Sequence, residues 1–233
     1  MIEAFKPTRV YEDLSSLKYK DMSILSVMVV TMLSLSIYWQ DTLVSTLAGV
    51  TGVICVFLVN MKKLSNFFWG TINAVLYGYV AYTALYYGDA MLNWVFYLPI
   101  QVVGAYYWTK DMNGIEVESK KVTSSALVSL TLLTILTCVV YSQLLSFLGG
   151  SLSMIDAVTT VLSLLATYLM IKGYREQWLC WITVNLLSIY MWTINFIETD
   201  TGYAVLIMWV MFLLNSIYGA YNWFKVTNKG DTQ

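Results

Sequence analysis

Phe67-Phe68-Trp69-Gly70-Thr71-Ile72-Asn73 and Leu179-Cys180-Trp181-Ile182-Thr183-Val184-Asn185 share a W-x-x-x-N spacing, and each follows a short basic segment. Residues at i and i+4 lie on one helix face, so the Trp and Asn of each copy point the same way. A second matched pair closes each unit: Gly104-Ala105-Tyr106-Tyr107-Trp108 and Gly219-Ala220-Tyr221-Asn222-Trp223 agree at four of five positions. The first pair is separated by 112 residues and the second by 115, so the chain holds an internal repeat with a longer loop in its second copy.

The residues around these motifs are apolar to an unusual degree. Of the 233 residues 58% are hydrophobic and only 12% charged, where a soluble domain carries about a quarter charged. Lipid as the solvent for most of the surface accounts for that shortfall. A spanning helix needs roughly 20 apolar residues, and eight segments qualify: 23–39, 42–60, 66–87, 91–108, 123–148, 152–171, 178–197 and 203–224. The breaks alternate. Those around Asp41, Gly88-Asp89, Gly149-Gly150 and Glu198-Thr199-Asp200 are short and carry no basic residue. The segments 1–22, 61–65, 109–122, 172–177 and 225–233 hold all 13 Lys and Arg. Basic residues accumulate on the cytoplasmic side, so the partition predicts eight spans with both termini inside.

The two W-x-x-x-N helices both start from the basic side, so corresponding helices run parallel. The expected architecture is an all-α membrane protein with one extra N-terminal helix followed by a three, one, three arrangement. Its parts are a tail and extra helix over 1–41, a first three-helix unit over 42–108 and a linker helix within 109–151. A second unit over 152–224 and a tail over 225–233 complete it. The linker has no aromatic residue before Tyr141, which suits a helix facing lipid on most sides. Parallel repeats of this kind hold substrate near the bilayer midplane.

Several functions are excluded by what the spans lack. None contains Lys or Arg, and Asp156 alone among the acids falls inside one, where it reads as a helix N-terminal anchor. Ionisable groups in a membrane interior mark ion and proton pathways, so a pump, a proton-driven carrier and a voltage sensor are disfavoured. The chain has no histidine, and Cys55, Cys138 and Cys180 are scattered through apolar stretches, so neither a metal site nor a disulfide framework is expected. An enzyme would need an acid, base or metal set that is missing, and no cofactor is implied. A net charge of −1 points to no nucleic-acid partner, and the polar first twenty residues do not read as a cleavable signal.

The polar groups left inside the spans are carboxamides: Asn73, Gln101, Asn185 and Asn215. Each is either a tie between helices or part of a polar cavity, and their placement in repeat-related helices favours the cavity. Trp69, Asn73 and Tyr77 form one stripe, and Trp181, Asn185, Ser188 and Trp192 another. Aromatic walls with carboxamide ends suit a flat heteroaromatic ring bearing hydroxyls. If the ring is cationic, each aromatic face adds about 0.5–2 kcal/mol. Trp39, Trp94, Trp108 and Trp223, near span ends, read as an interfacial belt. Pro99, two residues before Gln101, frees the carbonyl of Val95 and either bends its helix to admit substrate or merely kinks it.

The W-x-x-x-N stretch from Trp181 through Ser188 to Trp192, then Leu214-Asn215-Ser216-Ile217-Tyr218-Gly219 and the closing Trp, resembles the PnuC family of vitamin transporters over about residues 42–224. That resemblance implies a SWEET-like fold of two three-helix bundles and a homotrimer embedded in the lipid of the bacterial inner membrane. It also implies facilitated diffusion, with a cytoplasmic kinase trapping the substrate. The usual substrate is nicotinamide riboside, a pyridinium cation with a ribose. Family contacts carried over by motif fall on Trp69, Asn73, Gln101, Trp181, Asn185, Trp192 and Asn215, joined by Tyr77, Ser188 and Tyr218. The first copy departs from the second in having Leu76 where Ser188 stands. Relatives carry thiamine, riboflavin or deoxynucleosides on similar motifs, so a thiamine carrier is the main alternative. A structural membrane subunit is the alternative of a different class, but it would not need repeat-matched carboxamides.

Overall fold

The computed structural model describes residues 2–83, 90, 92–113, 116–117, 119–147, 153–199 and 203–230. The expected breaks at Gly88-Asp89, Gly149-Gly150 and Asp200 lie outside them, as does the side chain of Asp156. Among the described residues the protein is all-helical apart from one short hairpin. A 3-10 turn, Ile2–Phe5, leads to α1 (Pro7–Ser15), then α2 (Tyr19–Tyr38), α3 (Leu43–Asn60) and α4 (Asn66–Thr83). A π-helical turn over Leu92–Tyr97 runs directly into α5 (Leu98–Asp111). The hairpin of β1 (Met112–Asn113) and β2 (Glu116–Val117) precedes α6 (Ser124–Phe147), α7 (Ser153–Ile171), α8 (Gln177–Thr199) and α9 (Tyr203–Gly230).

Four helical stretches among the described residues are long and apolar enough to cross a membrane: Tyr19–Tyr38, Leu43–Asn60, Ser124–Leu144 and Val205–Lys225. Helices α4, α5 and α8 are enriched in Trp, Tyr, Asn and Gln. That composition lowers their hydropathy without making them water-facing.

Helix α3 packs against α4 and α9, α8 against α7 and α9, and α5 against α4 and α7. Two groups of three, α3–α5 and α7–α9, therefore meet along the α3/α9 and α5/α7 seams. Helix α2 packs on α3 and α9 from outside. Helix α6 packs on α7 and leaves Leu132, Leu133, Ile135 and Leu136 more than half exposed, as a helix with lipid for a neighbour does.

Two local features lie beyond hydropathy. The polar stretch before α2 folds into α1, whose Asp13 is wholly buried. Its carboxylate is 3.0 Å from the Arg9 guanidinium and accepts the Ser65 backbone N–H at 2.7 Å. One charged residue thus ties α1 to the turn between α3 and α4. Pro99 stands where the π turn runs into α5, and Tyr97 just before this junction is itself helical, with φ −68° and ψ −38°. The π turn just before it uses i→i+5 bonding, which lets upstream carbonyls reach past the proline.

The basic segments come together at one end of the bundle. Lys120 N–H donates to Gly173 O at 2.8 Å and Arg175 N–H to Lys120 O at 2.9 Å, joining the 109–122 and 172–177 segments. Lys172 sits 3.9 Å over the Tyr107 ring and Lys62 5.2 Å over the Trp223 ring. At this end the belt expectation fails for two of its four residues. Trp108 and Trp223 are fully buried, because each inserts its indole into a neighbouring helix end. Trp39 and Trp94 stay more than a third exposed, and Trp39 stacks on Tyr203 at 5.0 Å.

Candidate substrate site

Between the two helix groups lies a cavity of about 220 Å³. Helix α4 lends Asn73 and Tyr77, the π turn Asn93 and Tyr97, and α5 Gln101. Helix α8 contributes Trp181, Asn185, Ser188 and Trp192, at i, i+4, i+7 and i+11 on one face. Helix α9 adds Trp209, Phe212 and Ser216, and α3 adds Cys55, Val56 and Val59. No charged side chain lines the cavity among the described residues.

The carboxamides are aimed by bonds to neighbouring helices. Asn73 Nδ2 donates to Ala48 O of α3 at 2.8 Å. Asn185, 2% exposed, donates through Nδ2 to Ser216 Oγ of α9 at 2.8 Å. These bonds fix each amide plane. Gln101 reaches across to α4 because position 70 is glycine: a Cβ there would stand 2.7 Å from Gln101 Oε1.

Seven of the ten residues singled out from the sequence share this lining: Asn73, Tyr77, Gln101, Trp181, Asn185, Ser188 and Trp192. The other three stand elsewhere. Asn215 Nδ2 donates to Val56 O at 2.8 Å and its Oδ1 accepts from Asn60 Nδ2 at 3.3 Å, tying α9 to α3. Tyr218 donates its hydroxyl to Asp21 Oδ1 at 2.7 Å, tying α9 to α2. Trp69 packs edge-on against Phe68, with ring centroids 5.5 Å apart, although its counterpart Trp181 lines the cavity.

The sequence reading passed over a stripe on α7. Thr159, Ser163 and Thr167 recur at i, i+4 and i+8 and face the cavity together with Thr160. Hydroxyls at that spacing in an otherwise apolar helix were a visible signal. Asn93 and Trp209 had none, because nothing in their local sequence separates a cavity-facing residue from a helix-packing one.

Apolar helices around an uncharged cavity, walled by aromatic rings and hydrogen-bonding groups, define the class as a membrane transporter of small polar molecules. Residues 42–225 match the family described as nicotinamide mononucleotide transporters, and the chain belongs to that family. It is similar to the nicotinamide riboside transporter PnuC of Neisseria mucosa, 40% identical over 204 residues, which cover 84% of this chain and 78% of the relative. The protein of the same name from Haemophilus influenzae is 37% identical over 193 residues, covering 81% and 82%. The crystal structure of the vitamin B3 transporter PnuC superposes with a TM-score of 0.86 at 33% identity, covering 96% of this chain and 99% of that one.

Proposed function

We propose that this protein carries nicotinamide riboside across the bacterial inner membrane by facilitated diffusion. A cytoplasmic kinase then traps the substrate by phosphorylation. The observation that carries the reading is the uncharged cavity walled by Trp181, Trp192, Trp209 and Tyr77 and edged by Asn73, Gln101 and Asn185. A pyridinium needs no carboxylate when aromatic faces surround it, each contributing about 0.5–2 kcal/mol. Ribose hydroxyls find acceptors and donors in the carboxamides and in the Thr159–Ser163–Thr167 stripe.

The same lining argues for the riboside over its mononucleotide. A phosphate monoester brings a charge of roughly −1.5 to −2, and burying it without a cation costs several kcal/mol. The architecture goes with this reading: eight spans, both termini cytoplasmic and two SWEET-like three-helix bundles joined by α6. The charge partition and the packing of the two helix groups support it. A homotrimer surrounded by lipid is the assembly, supported by the family resemblance and the exposed apolar face of α6. The ten residues Trp69, Asn73, Tyr77, Gln101, Trp181, Asn185, Ser188, Trp192, Asn215 and Tyr218 divide accordingly. The seven that line the cavity touch substrate, Asn215 and Tyr218 act through the helices they join, and Trp69 packs against Phe68 on its own helix.

Isothermal titration of the purified protein with a panel of nicotinamide riboside, nicotinamide mononucleotide, thiamine and riboflavin tests the assignment. The riboside should bind tightest and the mononucleotide at least about a hundredfold more weakly, the equivalent of roughly 2.7 kcal/mol. Equal binding of the two, or thiamine binding tightest, would overturn it.

A further inference from the structure

The cavity is closed at the end where the basic segments meet. Its wall residues Val59, Met170 and Trp178 pack into a buried cluster with Phe67, Trp108, Trp223 and Ala4. Hydrogen bonds cross the seams there, that from Asn222 Nδ2 of α9 to Asn60 Oδ1 of α3 at 2.9 Å among them. Trp108 of α5 donates its indole N–H to Met170 O of α7 at 2.9 Å, and Trp223 of α9 donates to Asn60 O of α3 at 3.0 Å. Each three-helix group thus grips the last turn of the other group's first helix. The helix ends they grip are alike. Lys62 and Gly173 both take left-handed backbone, with φ of 57° and 75°. The following N–H caps a carbonyl in each case, Lys63 to Leu58 O at 2.9 Å and Tyr174 to Leu169 O at 2.8 Å. A Cβ at Gly219 would stand 2.6 Å from the Trp178 ring, so the packing leaves no slack.

The same end holds groups whose hydrogen bonding is incomplete. Asn66 Oδ1, both amide atoms of Gln177 and Trp178 Nε1 are buried without a hydrogen-bond partner. All three residues open α4 or α8 beside the cluster, and they are 1%, 0% and 2% exposed. A buried polar atom left unpaired destabilises the arrangement that buries it. The closed end is therefore held by hydrogen bonds across both seams while these buried polar atoms stay unpaired.

We infer that Trp108 and Trp223 are the paired latch of a gate at the basic end of the translocation path. Asn66, Gln177 and Trp178 acquire partners, from water or from the passing substrate's hydroxyls, when it opens. The inference rests on reading the cavity as that path.

Cys55 lines the cavity, and replacing Cys138 and Cys180 with Ser leaves it the sole thiol. In that background a membrane-impermeant trimethylammonium methanethiosulfonate is applied to spheroplasts and to inverted vesicles. Trp108→Phe/Trp223→Phe keeps aromatic bulk and removes both N–H donors. Labelling of Cys55 from the face bearing the basic segments should rise roughly tenfold, and by less in either single variant. Gln177→Met keeps the length and removes the unmet amide, so it should slow labelling roughly fivefold. Unchanged labelling in the double variant, or Gln177→Met moving in the same direction as the Trp variants, would overturn the latch. If the double variant fails to fold, the sign of the Gln177→Met effect decides alone. Failure of the unmodified protein to bind nicotinamide riboside would sink the transport reading instead, because the thiol assay needs no substrate.

Discussion

Four carboxamides of the same type, on helices of the same kind, have separate fates in this protein. Asn215 spends both ends of its amide on α3, through Val56 O and Asn60 Nδ2. Asn185 is anchored through Nδ2 alone, which leaves its carbonyl oxygen with acceptor capacity at the cavity wall. Gln101 leans over Gly70 into the same space. The chemistry of the side chain does not distinguish the cases; the direction of the nearest helix does. Replacing Gln101 with Leu should weaken nicotinamide riboside binding by about 1–3 kcal/mol, roughly 5- to 150-fold, with little change in melting temperature, and Asn185→Leu should weaken it similarly while also lowering stability through the lost bond to Ser216. Asn215→Leu should do the opposite of Gln101→Leu. It strands a carbonyl and an amide N–H in the α3/α9 seam, lowers stability by about 1–3 kcal/mol and leaves affinity nearly intact. Melting curves and titrations on the same preparations separate the two, and a large affinity loss in Asn215→Leu would place that residue at the substrate after all.

At the scale of elements, helix α1 shows what hydropathy leaves unread. Residues 1–22 are polar in composition, and the helix is docked by the buried Asp13 carboxylate together with Leu14, which packs on the Leu25–Phe57 cluster. Asp13→Ala removes the buried carboxylate beside Arg9 and uncaps the Ser65 N–H, so it should cost about 3 kcal/mol, near the low end for breaking a buried pair. The Arg9→Ala/Asp13→Ala double variant should cost less, since both members of the pair are removed. Thermal melting of the three proteins checks the ranking, and an Asp13→Ala protein as stable as the parent would mean that α1 is not docked by this contact. The apolar helices were far more legible. Leu43–Asn60, Ser124–Phe147 and Ser153–Ile171 begin and end within a residue of the segments drawn from hydropathy, because span length is set by lipid thickness. The π turn at Leu92–Tyr97 was not legible, since Pro99 signals a change in bonding without specifying which change. Trp108 and Trp223 misled for a related reason. A tryptophan near a span end belongs by default to the interfacial belt. Only the partner helix reveals that its N–H has a carbonyl within 3.0 Å.

For the molecule as a whole, the decisive property is the absence of charged side chains along the cavity among the described residues, set against basic residues gathered at one end. Ionisable groups in a membrane interior mark proton and ion pathways, and no charged side chain lines the cavity among the described residues. On the proposed facilitated-diffusion reading, the direction of net movement comes only from the substrate's own gradient and from its consumption inside the cell. The measurement that tests this most directly uses the purified protein in liposomes of known internal volume, with labelled nicotinamide riboside outside and no kinase within. Free substrate inside should rise to the outside concentration and stop there, with or without an imposed pH or sodium gradient. Gradient-dependent accumulation above that level would contradict the account.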